Sequence, residues 1–249
     1  TKWSRLRAGQ SMSTRSGGTW GPLLTTTWGQ YPYYNALCPE NEYGQAVTGC
    51  VATAIAQIIN YWGYPTHGRG IHSYECGNYG NLTVNYDTTY YDYNHMPDAL
   101  TDTSTPQEIN AIATLMRDCG VGTDMGYGTS LSASSDLNAR VALINYFHYS
   151  PNLSVASRAH FTSSEWDALL HADLDNNRPV YYSGSGSFEH AFVCDGYNAD
   201  GYYHFNFGWN GSANGWFLTS SLTSSDWDLY GNQIAIFGIF PDSISNVIH

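Results

Sequence analysis

The chain has 249 residues, 42% of them hydrophobic and only 12% charged, which allows a core of domain size and excludes wholesale disorder. Nine Lys and Arg stand against 21 Asp and Glu, a net charge of −12, and that balance argues against binding to nucleic acid or to anionic membrane surfaces. No run approaches the ~18 apolar residues of a membrane span, and with so few charges the polar surface must come from Ser, Thr, Asn, Gly and Tyr.

Residues 1–21 are rich in Gly, Ser, Thr and Arg and read as an extended arm or a cleavage remnant. They lack the apolar stretch of a signal peptide, and the opening Thr1 points to a processed form. Residues 22–249 show no internal repeat and no separating linker, so a single domain is expected. From Cys50 the apolar positions 51, 54, 55, 58, 59 and 62 follow helical spacing, which predicts a buried helix over 50–62. Thr48 is the expected N-cap, and Gly63 with Pro65 the stop. Residues 68–102 have weak periodicity and predict long loops with one hairpin.

A second helix is marked by Thr105-Pro-Gln-Glu108, a capping-box pattern with Pro at the first helical position. Gly120 should close it. Further helices are expected over 135–147 and from about 163 to 176. The pattern then changes to short β-branched and aromatic runs at 179–182, 190–194, 202–207, 215–218 and 234–239, separated by turn residues. Consecutive strands with short connections predict an antiparallel sheet, and helices followed by strands predict an α+β fold. The expected arrangement is a helical lobe over about 22–150 packed against a sheet lobe over about 151–249, with a cleft between them.

The five cysteines, Cys38, Cys50, Cys76, Cys119 and Cys194, include no C-x-x-C pair, which argues against a zinc ribbon or a redox dithiol. Cys119 and Cys194 lie in apolar runs and read as core residues. Cys38 and Cys76 lie in loop-like stretches that leave both a disulfide and free thiols open. Cys50 differs because it begins a helix after Thr48-Gly49. The unpaired N–H groups of a helix start favour a thiolate, the nucleophilic form of cysteine, and Gly49 would leave room for a substrate backbone.

A nucleophile also needs a base and an anion stabiliser. His190 is placed for the base, at the mouth of a strand after the polar loop 184–189. Asn206 on the next strand could hold the imidazole ring, and Trp209 could cover the pair. Gln30 is a candidate for an oxyanion hole together with the Cys50 backbone N–H. The loops 184–189 and 231–238 are expected to border the cleft and to gate it.

Taken together, Gln30, Thr48-Gly-Cys50-Val-Ala-Thr-Ala, His190-Ala-Phe-Val-Cys-Asp-Gly196 and Asn206-Phe-Gly-Trp209 resemble the streptopain family of secreted bacterial cysteine proteases, which includes the interpains. The likeness runs over nearly the whole chain from about residue 20. It implies a papain-like fold with Cys50 as nucleophile and His190 as general base and acid. It also implies Gln30 in the oxyanion hole and Asn206 with Trp209 supporting the histidine. The implied enzyme is a cofactor-free, metal-free endopeptidase acting on protein or peptide substrates, secreted or at the bacterial cell surface. It would be a monomer held as a zymogen by an N-terminal propeptide and would favour a hydrophobic residue two before the scissile bond. Gly49, Phe207, Gly186 and Glu189 are the candidate substrate contacts.

Two positions depart from the family pattern. Phe207 stands where a tryptophan is usual, which puts its subsite in doubt, and Cys194 stands where an aliphatic residue is common. A binding module on the same scaffold and an acyltransferase using the same Cys–His logic are the alternatives. Reaction with a thiol-directed peptide and supply of an amine acceptor, respectively, discriminate them.

Overall fold

A computed structural model describes residues 18–242. Thr19–Trp20 (β1) comes first, followed by the small ribbon Glu40–Asn41 (β2) and Gly44–Gln45 (β3). Helix α1, Cys50–Trp62, buries eleven of its thirteen residues, as its continuous apolar composition requires. Its N-cap is Gly49 at φ 84°, with no side-chain cap, so Thr48 does not take the expected role. The Thr48 hydroxyl instead lies 2.9 Å from that of Thr53, which donates back to the Gly49 carbonyl. Gly63 closes the helix in the left-handed region at φ 59°.

Ile71–Glu75 (β4) and Asn81–Asn85 (β5) form the one hairpin expected in the loop-rich stretch. Helix α2, Pro106–Gly122, carries the complete capping box of Thr105 and Glu108. It runs past Gly120, the expected stop, because Gly120 serves packing: a Cβ there would lie 2.0 Å from the Tyr127 hydroxyl. Helix α3, Asp136–Asn145, is capped by Ser135, and helix α4, Ser163–Leu174, by a second box of Thr162 and Glu165.

The main strands are Ser154–Ser157 (β6), Val180–Ser185 (β7), Glu189–Asn198 (β8), Tyr203–Asn206 (β9), Gly215–Phe217 (β10) and Gly231–Phe237 (β11). They run in the order β10-β9-β8-β7-β11-β6, every pair antiparallel, and β1 joins the end of β8. The α+β architecture is the predicted one. Two details differ. Strand β6 is too short and polar to register as a strand and exists because β11 offers it a partner. The strand expected over 234–239 is present and begins earlier, at Gly231, so residues 231–238, also expected as a gating loop, lie mostly in β11, in the interior of the sheet between β7 and β6.

Side chains on a strand alternate between faces, and the pair Tyr181–Tyr182 shows what each face meets. The Tyr182 hydroxyl accepts from Trp166 of α4, whereas the Tyr181 hydroxyl donates to Asp136 at the start of α3. Helix α1 packs on β8, α2 and α3. The sequence before α1 crosses to the sheet: Trp20 pairs with Tyr197, and the backbone N–H groups of Leu23 and Leu24 donate to the main chain and carboxylate of the buried Asp195. That carboxylate also lies 2.6 Å from His204 Nδ1. Of the arm expected over 1–21, only its end lies within the described residues, and there it is a strand.

With few ion pairs available, buried and half-buried tyrosines carry the polar bonding. Tyr74 donates to the Met125 carbonyl, Tyr86 to that of Asp118 and Tyr149 to that of Tyr64. Among the described residues no helix is long and apolar enough to cross a membrane.

Candidate active site

A cleft of about 990 Å³ opens where the start of α1 meets the hairpin of β7 and β8. Cys50 and His190 both line it, together with Gln30, Trp209 and Glu189. Cys50 begins α1, and the backbone N–H groups of Ala191, Val51 and its own residue act to lower its thiol pKa. Ala191 follows His190 directly, so the strand that supplies the imidazole also supplies one of these N–H groups.

The imidazole is 6% exposed. Its Nε2 lies 2.7 Å from the Phe207 carbonyl. A carbonyl only accepts, so Nε2 carries the hydrogen and Nδ1 of the neutral ring is left as the free base. Trp209 lies over the ring at 4.5 Å between centroids and 33° between planes, the position expected for it.

The orienting group thus lies one residue beyond Asn206, the residue expected to hold the ring. Asn206 is turned the other way because three partners satisfy it in the core. Its amide nitrogen donates to the Thr26 carbonyl at 2.7 Å, and its oxygen accepts from Gly208 N and from Gln57 Nε2. Asn206 therefore shapes the loop that presents the Phe207 carbonyl.

Gln57 is the site residue that the sequence reading did not single out. It is fully buried on α1, seven residues from Cys50 and thus on the same face. Its oxygen accepts from the Thr26 hydroxyl at 2.9 Å and from Trp28 N at 3.3 Å, while its nitrogen donates to Asn206. One side chain thereby ties the helix that begins at Cys50, the segment leading to Gln30 and the loop that holds His190. Its signal in the sequence was a lone amide in an otherwise apolar helix. Gln57→Leu should strand several buried polar groups and lower stability by about 2–4 kcal/mol, with a lower hydrolytic rate at temperatures where the variant is still folded. A denaturation midpoint unchanged from the native chain would contradict this.

Gln30 lines the cleft on a segment pinned from two sides. The Gln30 carbonyl accepts from Thr48 N, and Asn210 Nδ2 donates to the Tyr31 carbonyl. Three of the four expected substrate contacts are placed elsewhere. Gly49 is buried, and a Cβ there would lie 2.7 Å from Met125 Sδ and 2.9 Å from the Ser132 carbonyl. The chain itself fills the room that glycine leaves. Phe207 is 1% exposed, stacked with Trp209 and packed on Trp227; its backbone rather than its ring serves the site. Gly186, at the β7–β8 turn, packs against Asp228. Only Glu189 lines the cleft. The four remaining cysteines are buried free thiols, so Cys38 and Cys76 are not bonded to each other.

Burial acts against the expected thiolate–imidazolium pair, and the N–H groups around the sulfur act for it. Burial pushes the Cys50 thiol up, and the charge of Asp136 pushes the same way, against the lowering by the N–H groups around the sulfur. Burial also pulls His190 down to about 4, opposed by its bond to Phe207. Desolvation therefore favours the neutral forms of both groups in the empty cleft.

A measurable consequence is acid sensitivity. Unfolded, the imidazole titrates near ~6.5, so between that pH and about 4 the unfolded chain binds the extra proton. The His190 contribution to stability is complete above ~6.5 and is lost as pH falls toward about 4, by on the order of 3 kcal/mol. Urea denaturation at neutral and at acid pH should show a smaller loss for His190→Asn than for the native chain. Equal losses would remove the explanation.

The peptidase C10 family model matches residues 28–217. The chain is 36% identical over 237 residues to the thiol protease/hemagglutinin PrtT of Porphyromonas gingivalis, covering 89% of this chain and 26% of that protein. It is 33% identical over 233 residues to streptopain of Streptococcus pyogenes, covering 84% of this chain and 58% of that one. It thus spans less than two thirds of either relative. Among solved structures, the active wild-type interpain A cysteine protease of Prevotella intermedia superposes with a TM-score of 0.84 at 34% identity, covering 90% of this chain and 96% of that chain. A fragment of prointerpain A from the same organism gives 0.80 at 30% identity, covering 95% and 79%. Shared fold and shared sequence agree: the chain belongs to the peptidase C10 family of cysteine-type peptidases, with a papain-like α+β fold.

Proposed function

We propose that the chain is a cysteine endopeptidase in which Cys50 attacks the peptide carbonyl and His190 moves the proton. The observation that carries this reading is the meeting of a thiol at a helix start with a ring whose free nitrogen is fixed as Nδ1. As the carbonyl approaches, the thiol proton passes to Nδ1 and the sulfur forms the new bond. The Cys50 N–H and the Gln30 amide receive the developing oxyanion. The imidazolium, stabilised by the Phe207 carbonyl, then protonates the leaving amine. The neutral ring next takes a proton from water, which hydrolyses the thioester and frees the sulfur.

The likeness to a prointerpain structure supports a zymogen whose N-terminal propeptide blocks the cleft. The likeness to streptopain and PrtT supports a bacterial protein that works secreted or at the cell surface, on protein substrates. Apolar walls at Val51, Ala133, Ala191 and Ile234 support a preference for a hydrophobic side chain two residues before the scissile bond. A monomer needs no further chain to complete this site. A peptide-cleavage assay of the native chain beside its Cys50→Ala variant tests the reading, and equal rates would end it.

A further inference from the structure

The connection from β10 to β11, residues 218–230, is anchored at several points beside the imidazole. Leu222 and Leu229 are fully buried, and Leu229 N donates to the Leu222 carbonyl at 2.8 Å. Ser224 N donates to the Trp227 carbonyl at 2.8 Å. Gln233, buried on β11, donates to the carbonyls of Thr219 and Tyr230 and so ties the two ends of the connection together. This anchoring presents Trp227 and Asp228, both half-buried, to two different neighbours.

Asp228 grips the turn that leads into His190. Its Oδ1 accepts from Ser187 N at 2.9 Å, and its own N donates to Ser187 Oγ at 3.2 Å. Its carbonyl lies 3.2 Å from the same Ser187 N. Gly184 and Gly186 have no room for a Cβ, because the Leu229 carbonyl and the Asp228 carboxylate lie against them. Gly186, Ser187, Phe188 and Glu189 are all exposed, so the turn takes its order from Asp228 rather than from the core. Trp227 grips the other side. Its ring lies 5.0 Å from that of Phe207 and 5.9 Å from that of Trp209, edge-on to the latter. Phe207 supplies the carbonyl that holds Nε2, and Trp209 covers the imidazole. Two consecutive residues of one connection thus bracket the histidine, one through the segment before it and one through the segment that orients it.

We propose that Trp227 and Asp228 are positioning residues for His190, which hold the imidazole in place for the Cys50 thiol by clamping the turn before it and the Phe207–Trp209 segment. This rests on the peptidase reading. Neither residue lines the cleft, so both act through the placement of the base. A reacting group displaced by about 1 Å can lose on the order of 10² in rate. The part of Asp228 that matters is an acceptor for a backbone N–H, and an amide oxygen supplies the same acceptor without the charge.

The test reads two rates. One is hydrolysis of a peptide. The other is alkylation of Cys50 by chloroacetamide, read by mass, which needs the thiol and its base but no substrate subsite. Asp228→Ala should lower kcat about tenfold, leave KM within about twofold of native and slow alkylation at neutral pH to a similar degree. Asp228→Asn should restore most of both rates, and Trp227→Phe should keep more of them than Trp227→Leu. The same Asp228→Ala change is then made in a His190→Ala chain. With the imidazole gone there is nothing left to position, so the second substitution should alter the residual alkylation rate by less than about twofold. Asp228→Ser, read by the same cycle, replaces the alanine variant if thermal denaturation shows that variant unfolded. An equal fall in both backgrounds, a native kcat in Asp228→Ala, or no recovery in Asp228→Asn would overturn the inference and leave the peptidase reading standing. Hydrolysis at the native rate by the His190→Ala chain would overturn the peptidase reading, and the inference with it.

Discussion

Alanine at position 50 should lower peptide hydrolysis by at least ~10⁴-fold, the scale seen when a nucleophile that works as a unit with its base is removed. The protein should remain folded. Cys50 is only partly exposed, yet its sulfur faces a cleft rather than a packed core, and alanine is the best helix former for the position. The other four thiols are buried and lie outside this cleft, so none can replace it. Rates on a peptide substrate and a thermal denaturation curve, taken on the same preparation, separate loss of chemistry from loss of fold. Hydrolysis above one part in about 10³ of the native rate would remove Cys50 from the mechanism.

Removing the Gln30 amide should cost 10²–10³ in kcat, roughly the loss for a single oxyanion donor. The argument is geometric. Gln30 lines the cleft with Cys50, and its backbone is anchored through Thr48 and Asn210, so truncation leaves the segment in place and deletes one donor. KM should move little, because the donor acts on charge that develops only in the transition state. Gln30→Glu should recover none of the loss, since a carboxylate repels the oxyanion. If Gln30→Ala raised KM and left kcat intact, the residue would belong to ground-state binding.

The residues proposed to do chemistry stood out in the sequence for local reasons. A cysteine opening an apolar helix, a histidine opening an apolar strand and a tryptophan after the next strand each carry a short-range signal. The two capping boxes are of the same kind, since Thr105 with Glu108 and Thr162 with Glu165 satisfy helix ends within four residues. The order of helices and strands likewise follows from periodicity along the chain.

What surrounds those residues was not legible, because it depends on partners far apart in sequence. Thr48 looked like a cap, but Gly49 takes that place with its backbone at positive φ. Gly49 looked like open space, yet Met125 fills it. Asn206 was the obvious partner for the imidazole. The Phe207 carbonyl took the role because Thr26, Gly208 and Gln57 together satisfied the asparagine first.

The charge balance of Cys50 and His190 rests on the same long-range packing, since the cost of charging a group depends on how completely its neighbours exclude water. Composition and periodicity were enough to read an α+β architecture, and the resemblance carried by the residues around Cys50, His190 and Asn206 was enough to read a cysteine peptidase, because those motifs and the secondary structure are each encoded over a few residues. Folding alone decided which atom holds the imidazole, which partners satisfy Asn206 and how far Cys50 and His190 are shielded from water, because hydrogen bonding and desolvation act between residues that only packing brings together.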